Sequence, residues 1–173
     1  MKKEIELKFF VGDLAPIRKK LKKLGAKLEW AGSEYDRFFD TPDRRLQKKN
    51  AILRLRVTPD FSYLTYKEKV AHKKFKVANE YQVDDVKEPE ELRKIFERLG
   101  FRIKFAYKKP KREFWRWGKN LITFDSYPFG KFIEVEGSEK FIRIVARKLD
   151  LDFARSSRKS YTQLLREYKN KPR

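Results

Sequence analysis

The stretch Lys3-Glu4-Ile5-Glu6-Leu7-Lys8-Phe9-Phe10-Val11 decides how the rest of the chain is read. At a period of two, Ile5, Leu7, Phe9 and Val11 fall on one face, and Glu4, Glu6 and Lys8 fall on the other. A lone strand of this kind is usually half buried, with its polar face in water. Here the alternation returns along the chain with complementary charge. Residues 51–57 set Leu53, Leu55 and Val57 against Arg54 and Arg56. Residues 63–70 put Thr65, Lys67 and Lys69 on one face, and residues 77–83 do the same with Glu80 and Gln82. Residues 121–127 carry Thr123 and Asp125 together, and residues 131–137 carry Glu134 and Glu136 opposite Ile133 and Val135.

Between these strands the 3.6-residue spacing predicts four helices. Asp13 caps the first, with Pro16 in its first turn; Leu14, Ile17, Leu21 and Leu24 form its apolar stripe, and Gly25 ends it. Pro89, Glu90 and Glu91 open the second, with Leu92, Ile95, Phe96 and Leu99 as its stripe and Gly100 as its end. Ser138 and Ser160 cap the third and fourth; Phe141, Ile142, Val145 and Leu149 point inward from one, and Tyr161, Leu164, Leu165 and Tyr168 from the other. Further strands are expected over residues 26–30, 34–40, 101–105 and 112–117. Residues 44–50 read as a polar loop, residues 71–76 as a basic loop, and the tail from Lys169 as frayed. Lys23-Leu24-Gly25 and Arg98-Leu99-Gly100 begin two similar helix-strand-strand stretches. Two halves of one closed sheet would give this pattern, and so would two unrelated amphipathic helices.

Composition narrows the function. The chain has 173 residues, is 40% hydrophobic and 15% aromatic, and is read as a single domain spanning residues 1–173. A net charge of +20 points to an anionic partner: nucleic acid, a phosphorylated small molecule or an acidic surface. The absence of cysteine excludes disulfides, thiolate catalysis and cysteine-bound metal. Met1 leads into a strand without an apolar leader, and no run is apolar enough to span a membrane, so a cytoplasmic location and no membrane partner are expected. His72, the only histidine, reads as a solvated loop residue, which sets aside histidine-based nucleophilic mechanisms. A Gly-rich phosphate loop of the Walker kind is missing.

The polar strand faces then carry the chemistry. The apolar faces must pack on something, and the helices are the available partners. If the sheet curls into a barrel with helices outside, the charged faces line its lumen. Two carboxylate pairs, Glu4 with Glu6 and Glu134 with Glu136, plus Asp125, suit a hard divalent cation such as Mg²⁺ or Mn²⁺. Lys8, Arg54, Arg56, Lys67 and Arg112 suit phosphate oxygens, which arginine can bind with both prongs of its fork. The combination describes a metal-bound polyphosphate, whose chemistry needs no side-chain nucleophile.

Glu4-Ile5-Glu6-Leu7-Lys8 also resembles the ExExK signature of the CYTH superfamily, the triphosphate tunnel metalloenzymes. The resemblance extends through Phe39-Asp40-Thr41-Pro42, Leu53-Arg54-Leu55-Arg56, Leu64-Thr65-Tyr66-Lys67, Lys111-Arg112-Glu113, Asp125 and Gly130-Lys131-Phe132-Ile133-Glu134-Val135-Glu136. It implies an α+β fold in which an eight-stranded antiparallel β-barrel tunnel, with helices packed outside, holds a triphosphate and a divalent metal. It also implies metal ligation by Glu4, Glu6, Glu134 and Glu136, with Asp125 and Glu80 assisting. Phosphate binding would fall to Lys8, Arg54, Arg56, Lys67 and Arg112, with Glu80, Lys67 and Arg112 as the catalytic candidates. Three departures bear on substrate. Pro110 stands where a basic residue is common, with Lys109 or Lys111 able to substitute; Phe38 stands where a tyrosine is common; and Lys159 only loosely matches a C-terminal basic position. The expected activity is a metal-dependent triphosphatase acting on a nucleoside, thiamine or inorganic triphosphate. A class IV-like adenylate cyclase, converting ATP to cyclic AMP and pyrophosphate, is the alternative. A nucleic-acid-binding protein ranks lower, because a binder has no use for two Glu-x-Glu pairs facing its anion. A homodimer is compatible with each reading.

Overall fold

The structure, a computed structural model, describes residues 1–170. In chain order the elements are β1 (Lys2–Val11), α1 (Ala15–Lys23), β2 (Lys27–Asp40), α2 (Arg45–Lys48), β3 (Ala51–Val57), β4 (Ser62–Val70), β5 (Lys76–Asp84) and α3 (Pro89–Arg98). There follow β6 (Arg102–Trp117), β7 (Asn120–Tyr127), β8 (Gly130–Glu136), α4 (Glu139–Leu149), a 3-10 turn (Phe153–Arg155), β9 (Ser156–Ser157) and α5 (Tyr161–Lys169). Hydrogen bonding runs β5-β4-β3-β2-β6-β7-β8-β1, and β1 also pairs with β5, so eight antiparallel strands follow one another in a ring. The two-residue β9 adds to β1. The eight-stranded antiparallel sheet with accompanying helices is thus the fold that the chain adopts.

The chain divides into two compact units. Residues Met1–Glu4, Gly32–Ala71 and Val77–Pro110 form the first; Ile5–Ala31, His72–Lys76 and the described residues from Lys111 onward form the second. In the first unit, Phe39 packs its ring against Phe96 of α3 at 5.1 Å, and Leu55 is fully buried. The stripe expected along α3 is only half used: Ile95 is 53% exposed and Leu99 67%. In the second unit, Leu7 and Phe9 of β1, Ile133 and Val135 of β8, and Ile122 and Phe124 of β7 are buried together with Leu21 of α1 and with Ile142, Val145 and Leu149 of α4. The apolar strand faces therefore meet apolar helix stripes, as alternation requires.

Helix ends follow local chemistry. Ser138 accepts from the Phe141 N–H, and Ser160 forms a capping box with Gln163. Gly25, at φ 81°, takes the left-handed conformation that ends α1. Asp13 accepts from the Ala15 N–H at 3.2 Å, but the cap position of α1 itself is Leu14. Several boundaries differ from the sequence reading. β2 runs unbroken through residues 31–33, where a gap was expected. β6 joins residues 101–105 and 112–117 into one 16-residue strand. Arg45–Lys48 forms a helical turn inside the expected polar loop. Lys169 ends α5, and the rest of the basic tail lies largely outside the described residues. Among the described residues no helix is long and apolar enough to cross a membrane.

Candidate active site

Alternation decides which side chains share a face, and register decides which of them meet. In the second unit, Glu6 lies opposite Glu136 and Lys8 opposite Glu134 in the β1–β8 ladder. β7 sets Thr123 beside Glu134, and β6 sets Arg112 beside Asp125. The Lys8 ammonium donates to Glu134 Oε1 at 2.5 Å. Arg112 places its fork on Asp125, with Nε and Nη2 each 2.7 Å from a carboxylate oxygen, and Nη2 also reaches Glu134 Oε2 at 2.9 Å. Lys76 donates to Glu6. Tyr161, the first residue of α5, donates to Asp125 Oδ2 at 2.5 Å, and its ring centroid lies 4.1 Å from Lys8 Nζ. Lys8, Arg112 and Asp125 are buried.

Electrostatics keeps the Glu134 carboxylate ionised. Burial alone would raise the Glu134 pKa, but Lys8, Arg112 and Lys76 outweigh it and keep the carboxyl well below its usual range. Burial, reinforced by Asp125 and Glu134, pushes the Tyr161 phenol well above its usual value, so it stays a donor. Past Lys8 the same strand face turns aromatic. Phe10 lies opposite Phe132 with ring centroids 4.8 Å apart, and Phe132 in turn meets Tyr161 edge-on at 5.4 Å.

The first unit holds a second charged group. Lys67 of β4 donates to both oxygens of Glu4 at 2.6 Å and lies 3.2 Å from Glu80, its register partner on β5. Arg56 of β3 is clasped from several sides. Its Nε and Nη2 bond Asp36 at 2.5 and 2.8 Å, and its Nη1 bonds Glu34 at 3.0 Å and the Tyr63 hydroxyl at 2.8 Å. Lys109 of β6 completes the cluster, 2.9 Å from Glu34 and 3.5 Å from Asp36. Burial opposes the ionisation of Asp36, yet Arg56 and Lys109 prevail and hold its pKa far below the usual range. For Arg56, burial lowers the pKa, but Asp36 and Glu34 reverse this and raise it. Arg54 is held differently: Nη2 donates to Thr65 at 3.3 Å, and its buried Nε has no hydrogen-bond partner among the described residues.

The structure therefore joins Glu4, Lys67 and Glu80 in one group, and Lys8, Arg112, Asp125 and Glu134 in another. Glu6 and Glu136 are register partners. Arg54 and Arg56, which read alike in sequence, belong to different hydrogen-bond networks. Glu34, Asp36, Tyr63, Lys76 and Tyr161 join these groups without having been singled out for them, and Lys109, named as a substitute for the basic residue missing at Pro110, joins them too. Glu34 and Asp36 follow the same two-residue rule as Glu4 and Glu6, and could have been found by it. Lys109 is harder to see. Pro110 and Lys111 are both exposed between buried Lys109 and buried Arg112, so alternation slips at the proline, which has no N–H to give the ladder.

A hard divalent cation suits the second unit's donors. Glu6 and Glu136 are carboxylates side by side on neighbouring strands, and oxygen ligands are what Mg²⁺ or Mn²⁺ prefers. Among the described residues no three His, Cys, Asp or Glu side chains converge into a ready cage. The carboxylates lean instead on Lys8, Lys76 and Arg112. Mg²⁺ keeps several of its waters and needs only one or two protein carboxylates.

The sequence profile of the CYTH domain matches residues 2–168. The chain belongs to the CYTH family. It is 28% identical over 135 residues to the Methanocaldococcus jannaschii protein named "Putative adenylate cyclase MJ0240", covering 78% of this chain and 77% of that protein. A solved Vibrio parahaemolyticus structure named in the same terms matches with a TM-score of 0.82 at 22% identity, over 94% of this chain and 97% of the other. A Hippeastrum protein, also named in those terms and described as having a dominant triphosphatase activity, matches with a TM-score of 0.67 at 16% identity, over 99% and 98% of the two chains. At these identities the two structures bear on fold alone. CYTH proteins are triphosphate-processing enzymes, and the triphosphate tunnel enzymes among them depend on divalent metal.

Proposed function

We propose that this CYTH chain, acting as one domain in the cytoplasm, is a Mg²⁺- or Mn²⁺-dependent triphosphatase acting on a nucleoside, thiamine or inorganic triphosphate. The observation that carries this reading is the buried strand face on which Lys8, Glu134, Arg112 and Asp125 alternate in charge beside the Glu6–Glu136 carboxylate pair. Carboxylates of Glu4, Glu6, Glu134 and Glu136, assisted by Asp125, are the candidate ligands for the cation. When bound, the cation supplies polarised phosphate oxygens and an acidified water. Lys8, Arg54, Arg56, Lys67 and Arg112 are the candidate phosphate holders; of these Arg54 has a donor still open. In the reaction, a water oxygen bonds to the terminal phosphorus and the bridging P–O bond breaks. Phosphate and a diphosphate leave, and the water's proton passes to a carboxylate, for which Glu80 is the candidate. Lys67 and Arg112 balance the charge on the phosphate oxygens as that bond breaks.

The relative from M. jannaschii gives a second reading its support. In a class IV-like adenylate cyclase, the ribose hydroxyl of ATP attacks the α-phosphorus and pyrophosphate departs. One assay separates the readings: incubation with Mg²⁺ or Mn²⁺ and, in turn, ATP, inorganic triphosphate and thiamine triphosphate, with identification of the products. Release of orthophosphate supports the triphosphatase; cyclic AMP with pyrophosphate supports the cyclase. Glu136→Gln should leave the fold intact and lower turnover by about two orders of magnitude. Absence of metal-dependent turnover on every substrate, together with salt-sensitive RNA binding, would favour the nucleic-acid reading over both.

A further inference from the structure

One segment of this strongly basic chain is close to neutral and also leaves apolar side chains uncovered. In the first unit, a groove of about 450 Å³ is lined by Leu64, Val83, Leu92 and Ile95, with Glu88 and Glu91 at its edge. Val83 is 61% exposed, Ile95 53% and Leu99 67%, and α3 buries none of its residues fully. An amphipathic helix that leaves half its stripe in water lacks a partner for that half.

Charge selects the partner. Copies of a chain with net charge +20 repel one another, except where the local charge is balanced. Residues 84–102 hold six acidic and five basic side chains, so this segment is close to neutral. Its charges are also sorted along α3. Glu90, Glu91 and Glu97 are paired within the chain, by Arg37, Arg93 and Lys94, which leaves Glu88 at the start and Arg98 at the end. Neither Glu88 nor Arg98 makes an ion pair among the described residues. Glu88, Glu91, Ile95 and Arg98 follow one another at three- and four-residue steps, so they share a helix face. Two such helices laid antiparallel would put Glu88 of each against Arg98 of the other, with Ile95 and Leu99 enclosed. This self-complementarity is what a two-fold contact requires.

We propose that α3 and its groove form the contact between two copies of this chain, related by a two-fold axis across the helix. Neither the metal nor the triphosphate chemistry enters the argument. Sedimentation and light scattering over a wide concentration range should give a particle of twice 21.0 kDa. Changing Ile95→Gln together with Leu99→Gln, at positions exposed enough to leave folding unaffected, should yield the 21.0 kDa monomer. Glu88→Lys should also weaken the dimer, and adding Arg98→Glu to it should restore association, because the swap re-forms the pair across the axis. A wild type that stays at 21.0 kDa at every concentration overturns the proposal. So does a dimer indifferent to both sets of variants.

Discussion

Arg54 and Arg56 stand two residues apart on β3, yet their environments make them different instruments. The fork of Arg56 is already filled by Asp36, with Glu34 and Tyr63 taking another nitrogen. Removing it leaves two fully buried carboxylates with only Lys109 to share between them. Arg56→Ala should therefore cost about 3–5 kcal/mol of stability, because one buried negative charge is left without a counter-charge of its own. A thermal melt should show it as a fall of roughly 10 °C in Tm. Arg54 has a buried Nε without a partner, so little folding energy depends on it. Arg54→Ala should melt near the wild type and lose about tenfold or more in kcat/KM, the scale of one charge-assisted hydrogen bond. Kinetics at matched ionic strength and a melt of each variant decide the matter; equal losses in both readouts would erase the distinction.

At the scale of elements, α5 brings Tyr161 to the charged row through its first residue, and Ser160 fixes where that residue falls. Tyr161→Phe keeps the ring against Lys8 but removes the hydrogen bond to Asp125. The loss should be about 1.5–3 kcal/mol, the range for a hydrogen bond to a charged group, and should appear as a lower urea midpoint with an unchanged slope. Tyr161 was legible in sequence only as one apolar member of a helical stripe; its hydroxyl contact depends on chain folding that no local period encodes. The strands were far more legible, since a two-residue period is local and each strand carries several repeats of it. The breaks expected in β2 and β6 came from weak alternation around Gly32 and from Pro110, which interrupts a ladder without ending the strand. Most carboxylates and cations of the site were readable from the same period, but Lys76, read as part of a loop, and Lys109, beside the slip at Pro110, were not. Which of them would meet was not, because that depends on register: Lys67 finds Glu80 and Lys8 finds Glu134 across neighbouring strands.

Over the whole molecule, charge sets the response to pH and selects among ligands. Asp36 and Glu134 titrate in the folded protein below their ordinary values of 3.8 and 4.5. The unfolded chain therefore binds more protons in that range, and stability rises with pH there. This contribution is complete above the ordinary carboxylate range and disappears as pH falls through the depressed values. Acid also neutralises 25 carboxyl groups facing 45 lysines and arginines, so self-repulsion grows as the ion pairs fail. Melts at successively lower pH should show a steep loss of Tm below the ordinary carboxylate pKa. Asp36→Asn should be less stable at neutral pH and lose stability less steeply in acid; an unchanged slope would remove Asp36 from the account. The paired cations have a consequence for the proposed reaction as well. Lys8, Arg56, Lys67 and Arg112 each already have a resident carboxylate. An incoming phosphate therefore does not fill a vacancy; it competes for cations that are already satisfied. Orthophosphate, with less charge and fewer oxygens than a triphosphate, would displace less, whereas a triphosphate can engage several cations at once. If the proposed reaction takes place on such paired cations, exchange of this kind would set a threshold of ligand charge, turning away small anions and releasing the shortened products.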